Sequence, residues 1–132
     1  MENNLQSIEF DGEFELIQKA CGGMLFTYPV LHISDMCRTI SFNKAAKSLF
    51  PENVTKMFMI TFKDYVGILP DNHRTAGNNL FSYDKNRGII TCPAALRAKK
   101  VLPGYYKLYR CKDGIAFNRY ERLDRYGEQI AA

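Results

Sequence analysis

The stretch Ile40-Ser41-Phe42-Asn43-Lys44-Ala45-Ala46-Lys47 decides the fold. Ile40 and Phe42 share one face of a strand, because side chains alternate with period two. Asn43 follows as a helix N-cap, and a helix is expected over residues 44–50 until Pro51 and Asn53 break it. Fifty residues later, Ile90-Thr91-Cys92-Pro93-Ala94-Ala95-Leu96-Arg97 runs through the same order. Pro93 there opens a helix expected to reach about Val101, since proline suits the first helical turn. Pro103-Gly104 ends it.

Working outward, each junction sits between two hairpins. In the first half, residues 31–33 and 38–42 read as strands around a turn at Ser34-Asp35, and residues 54–62 and 65–69 as strands around Lys63-Asp64. In the second half, residues 80–83 and 89–92 flank the turn at 84–88. Residues 105–111 and 115–120 flank Lys112-Asp113-Gly114, and Asp-Gly between alternating runs is a strong hairpin signal. At an offset of 50, Leu31, Ile33 and Ile40 fall on Phe81, Tyr83 and Ile90; beyond the helix the offset is 49, and Met57 and Val66 fall on Tyr106 and Ile115. One such unit has too little apolar surface to fold alone, whereas two can interleave their hairpins and close the sheet edges.

The expected architecture is therefore α+β: a β-rich barrel built from a tandem ββαββ pseudo-repeat, with an added N-terminal helix. The chain reads as a single domain, residues 1–132. The first unit covers 23–70 and the second 80–120, with a polar linker over 71–79. Residues 1–22 form the helical extension, where Phe14, Leu16, Ile17 and Ala20 fall near helical spacing.

With 132 residues, 46% apolar and 24% charged, the chain has enough core to fold without staples. Cys21, Cys37, Cys92 and Cys111 form no C-x-x-C pair and are expected as free thiols, not as a zinc site. No apolar run approaches bilayer length and the N-terminus is polar and acidic, so a cytoplasmic protein without membrane contact is expected. The net charge of +4 mildly favours a polyanionic partner and equally suits a solubilising surface.

No nucleophile elbow, zinc-protease helix motif or phosphate loop is present, so no enzyme activity and no cofactor are expected. His32 sits within an apolar strand and reads as a packed histidine; His73 is unaccompanied in the linker. One further segment interleaves rings and cations. Alternation puts Tyr105, Lys107 and Tyr109 on one hairpin face, with Arg119 on the following strand. It reads either as a surface that stacks bases and grips phosphate or as an ordinary amphipathic hairpin.

The two junctions, with Val54 and Ile68-Leu69-Pro70, resemble the AbrB-like swapped-hairpin family, whose members carry an Ile-x-Ile-Pro-Lys-type strand-to-helix junction. Two units in one chain is the arrangement of MraZ-like proteins. Asn43 stands where that pattern has proline, and Ala94 where it has lysine. The resemblance implies a DNA-binding transcriptional regulator that contacts phosphates through Arg38, Lys44, Lys47, Arg87 and Arg97. A homodimer is compatible with it. The divergent junctions, the added N-terminal helix and the exposed tyrosines suit an alternative, a phage or mobile-element accessory protein that binds and inhibits a host protein through Tyr105, Lys107, Tyr109 and Arg119. The aromatic-basic hairpin suits another, a protein that sequesters an anionic nucleotide.

Overall fold

A computed structural model of the protein describes residues 7, 26–71, 79–91 and 95–130. The expected N-terminal helix, most of the linker, Cys21, His73, Cys92 and Pro93 lie outside the described residues.

The first half runs β1 (Val30–Ile33), a 3-10 turn (Asp35–Cys37), β2 (Thr39–Phe42), α1 (Lys44–Lys47), β3 (Lys56–Phe62) and β4 (Tyr65–Pro70). The second runs β5 (Phe81–Asp84), β6 (Ile89–Thr91), α2 (Ala95–Ala98), β7 (Gly104–Lys107), β8 (Tyr109–Cys111) and β9 (Gly114–Asn118), followed by β10 (Arg122–Leu123). All ten strands join one antiparallel, curled sheet in the order β10-β7-β1-β2-β6-β5-β3-β4-β9-β8. Alternate side chains of one face fill the interior. Leu31, Ile33, Ile40, Met57, Val66, Ile68, Ile90, Tyr106, Ile115 and Phe117 form a single core cluster. Tyr106 is wholly buried, donates its hydroxyl to the Leu102 carbonyl at 2.6 Å, and has its pKa pushed up by burial to about 12.

The strand pairing crosses between the halves. Ile40 opposes Ile90 in the β2–β6 pair, and Gly67 opposes Ala116 in the β4–β9 pair. Leu31 opposes Tyr106 across β1 and β7, while Met57 opposes Phe81 across β3 and β5. Ile60 opposes Gly67 across β3 and β4, while Tyr109 opposes Ala116 across β8 and β9. Ile40–Ile90 and Gly67–Ala116 are 50 and 49 residues apart, and the same offsets carry Leu31–Tyr106 onto Phe81–Met57 and Ile60–Gly67 onto Tyr109–Ala116.

Three expectations need correction. The strand expected over 105–111 is interrupted at Leu108: β7 pairs with β1, β8 pairs with β9, and Leu108 donates its N–H to the Pro29 carbonyl at 3.1 Å at the change of partner. The bend is what lets the chain join the two ends of the curled sheet. The helix expected over 44–50 stops at Lys47, because Leu49 and Phe50 turn inward to pack against the core. The helix expected to reach about Val101 ends at Ala98, before Lys100 takes a left-handed backbone with φ of 61°. Beyond the second expected unit the chain also pairs: Arg122 and Leu123 sit beside Tyr106 and Tyr105, and Leu123 bridges to Gln129. Backbone pairing and partial burial of Leu123 outweigh the solvation that the segment's charges would gain as free chain.

Candidate nucleic-acid interface

The β2–β6 pair organises the surface. Because the strands are antiparallel, the start of β2 lies beside the end of β6, and the end of β2 beside the start of β6. Arg38 and α2 therefore share one end of the pair, and α1 and the β5–β6 turn share the other.

At the first end, Ser34 ties the turn that carries Arg38. The Ser34 Oγ accepts from the Thr39 N–H at 2.9 Å, and the Ser34 N–H donates to the Thr39 carbonyl at 3.0 Å. Met36, Cys37 and Lys100 all adopt left-handed backbone, with φ of 65°, 53° and 61°. Each is a conformation that costs a non-glycine residue about 1–2 kcal/mol. These three, with Arg97, line a hollow of about 270 Å³. Burial pushes the Cys37 thiol pKa up, and the nearby Arg97 charge partly opposes that shift. Arg38 is exposed and directly follows this turn.

At the second end, Asp84 builds the β5–β6 turn. Its Oδ1 accepts from the Asn86 and Arg87 N–H groups at 3.0 and 3.2 Å, and its Oδ2 pairs with Arg87 Nε at 2.9 Å. The Arg87 side chain, helped by these N–H bonds, holds the Asp84 carboxyl below the usual range. Gly88 closes the turn with φ of 66°, donating its N–H to the Asp84 carbonyl at 2.7 Å. Lys47, from α1 of the other half, reaches over it and donates Nζ to the Asn86 carbonyl at 3.1 Å. Lys44, Lys47 and Lys85 border a groove of about 650 Å³ whose walls include Phe50 and Tyr83.

Asn43 sets the direction of α1. Its Oδ1 accepts from the Ala46 N–H at 2.9 Å and the Val30 N–H at 3.1 Å, while Nδ2 donates to the Tyr28 carbonyl at 2.8 Å. The residue that departs from the proline of the AbrB-like pattern thus both caps the helix and pins it to β1.

The structure brings together, in two groups, the five cations expected from sequence. Arg38 and Arg97 stand at one end, Lys44, Lys47 and Arg87 at the other. The four residues of β2 between them span roughly 13 Å at a strand's rise. Arg87 is held by Asp84, so its charge is the most locally compensated of the five. Lys85 and Lys100 belong to the same groups and were missed by sequence reasoning. The Lys99-Lys100 run beside Arg97 was the available signal for the second.

No family model, curated protein or solved structure matches this chain.

The second expected cluster lies elsewhere, on the outer sheet face. Tyr105 packs at a tilt between His32, with ring centroids 4.4 Å apart, and Phe26, at 5.1 Å. Lys107 Nζ sits 5.7 Å from the rings of both Tyr28 and Tyr109. Tyr109 donates its hydroxyl to Glu121 Oε1 at 3.3 Å, and burial with the Glu121 charge raises its pKa. Arg119 donates Nη2 to the Lys63 carbonyl at 3.2 Å and Nη1 to the Lys99 carbonyl at 3.4 Å. Tyr105 is consequently structural, whereas Tyr109 and Lys107 present themselves to solvent. Among the described residues, no group of three or more histidine, cysteine or carboxylate side chains could hold a metal ion, and no helix is long and apolar enough to cross a membrane.

Proposed function

We propose that the chain is a non-enzymatic DNA-binding regulator of the swapped-hairpin type, built from a tandem ββαββ repeat, which grips duplex phosphates with Arg38, Lys44, Lys47 and Arg97. The observation that carries this reading is the exchange of helices between halves. Lys47 of α1 bonds the turn at Asn86, and Arg97 of α2 lies against the turn at Cys37. Cations far apart in sequence thereby become neighbours at the ends of one strand pair.

Two further points support it. The equivalent pairs Leu31–Tyr106 and Phe81–Met57 are what a pseudo-two-fold repeat requires. Lysine and arginine at the two ends of one strand pair are the residue types that meet duplex phosphates and displace condensed counterions. Such contacts fix position and register without reading bases.

The test is a gel-shift titration with random-sequence duplex DNA at two salt concentrations, comparing the wild-type chain with Lys44→Glu/Lys47→Glu and Arg38→Glu/Arg97→Glu. Binding that weakens steeply with salt, and that each double variant reduces, supports the reading. DNA affinity unchanged in both double variants removes the assigned face.

A further inference from the structure

The outer face of the β3-β4-β9-β8 sheet carries large side chains that the fold leaves uncovered. Phe62 and Tyr109 are 39% and 36% exposed, and Ile60 is exposed beside them. Phe62 and Tyr65 oppose each other at the end of the β3–β4 hairpin and stack nearly parallel, at 14° and 5.6 Å. Tyr65 meets the edge of Tyr109 at 6.0 Å. The floor between Ile60 and Tyr109 is low, because Gly67 and Ala116 occupy the intervening strands. A Cβ on Gly67 would lie 2.9 Å from Ile60 Cγ1, so Ile60 lies down across it.

Cations stand at both ends of this row of rings. Lys107 is poised over Tyr109 at one end. Lys63 stands exposed at the other, its carbonyl accepting from Arg119 Nη2 while Arg119 Nη1 donates to the Lys99 carbonyl. The nearby carboxylates are Glu121, which accepts from Tyr109, and Asp64 of the β3–β4 turn. Flat exposed rings with flanking cations suit a ligand that presents π-faces and phosphates together.

We infer that this face is a second site, distinct from the phosphate-gripping ends of β2–β6, and that it binds single-stranded nucleic acid by stacking unpaired bases on Phe62 and Tyr109. The bases of a duplex are stacked on one another and cannot present their faces to these rings, so the site selects unpaired strands. Lys107 takes the phosphate beside Tyr109, and the exposed Lys63 takes the one beside Phe62. Little sequence preference is expected, because every base has a π-face.

The experiment is anisotropy titration of a labelled oligothymidylate of about ten nucleotides, a length typical of stacking sites. The wild-type chain binds it. Phe62→Ala and Tyr109→Ala each weaken binding by about tenfold, whereas Tyr109→Phe retains it. Glu121→Gln tightens it, and Phe62→Ala and Tyr109→Ala leave duplex binding within about twofold, because the stacked bases of a duplex do not reach these rings. Circular dichroism of each variant separates loss of binding from loss of fold. No binding by the wild-type chain overturns the inference. So does unchanged affinity in folded Phe62→Ala and Tyr109→Ala, or a change in oligomeric state in those variants with oligothymidylate binding intact, which would make the face a protein contact. Because duplex titration addresses the other site, failure here leaves the duplex reading to stand or fall separately.

Discussion

Ile40 and Ile90 lie directly opposite one another in the β2–β6 pair, and both side chains are wholly buried. They hold the two halves together at the point where the basic groups flank the sheet. Truncating either to alanine removes the same methyl and methylene groups from one shared core. Each of Ile40→Ala and Ile90→Ala is expected to cost about 2–5 kcal/mol. Because the residues face each other, the double variant should depart from additivity. Urea unfolding of the three variants checks this; a loss well under 1 kcal/mol for either single variant would contradict the placement.

Asn43 is the buried polar residue whose loss leaves the most groups stranded. Asn43→Ala removes the acceptor for the Val30 and Ala46 N–H groups and the donor to the Tyr28 carbonyl. Buried polar groups without partners cost about 1–3 kcal/mol, so a loss of about 2–3 kcal/mol is expected. Denaturant unfolding measures it, and hydrogen exchange should show the Val30 and Ala46 amides losing protection.

Gly88 faces two penalties at once. Its φ of 66° disfavours any side chain, and an added Cβ would sit 2.5 Å from Lys47 Cδ. Lys47 is flexible enough to swing aside, so the backbone term dominates stability, at about 1–2 kcal/mol. Moving Lys47 should also weaken duplex binding in Gly88→Ala. Thermal unfolding and the gel shift read the two effects independently.

His32 gives the fold a mild acid sensitivity. Burial lowers its pKa below 6.5, and the nearby Asp35 charge only partly opposes this. The unfolded state then binds the proton more tightly, so this contribution is fully present above about pH 6.5 and is lost as pH falls through that value toward the folded pKa. Half-exposure makes the effect small. Stability measured between about pH 7.5 and 5 should fall more steeply for the wild-type chain than for His32→Gln, which has no such group to titrate.

Much of the strand layout was legible because alternation and turn residues are local signals. Ile40, Phe42, Met57, Val66 and Tyr106 were assigned to strands from their neighbours alone, and the hairpin at Asp113-Gly114 from a dipeptide. The break at Leu108 was not legible, since it depends on which strand lies alongside. The inward turn of Phe50 likewise reflects a core assembled from distant segments. The pairing of Arg122 and Leu123 was not legible, because their partners, Tyr106 and Tyr105, pair with β1 through a surface no local window sees. The basic groups were partly legible: Arg38 and Arg97 could be named, but their nearness follows from β2 pairing with β6.

Phosphate gripping by the cations at the two ends of β2–β6 leaves its signature in salt dependence. Its most direct test is the slope of log affinity against log salt for duplex DNA, in the wild-type chain and in Lys44→Glu/Lys47→Glu. Each phosphate contact contributes about 0.9 to that slope, so the double variant should flatten it by about two units. A slope indistinguishable between the two proteins, or no duplex binding by the wild-type chain, would contradict the account.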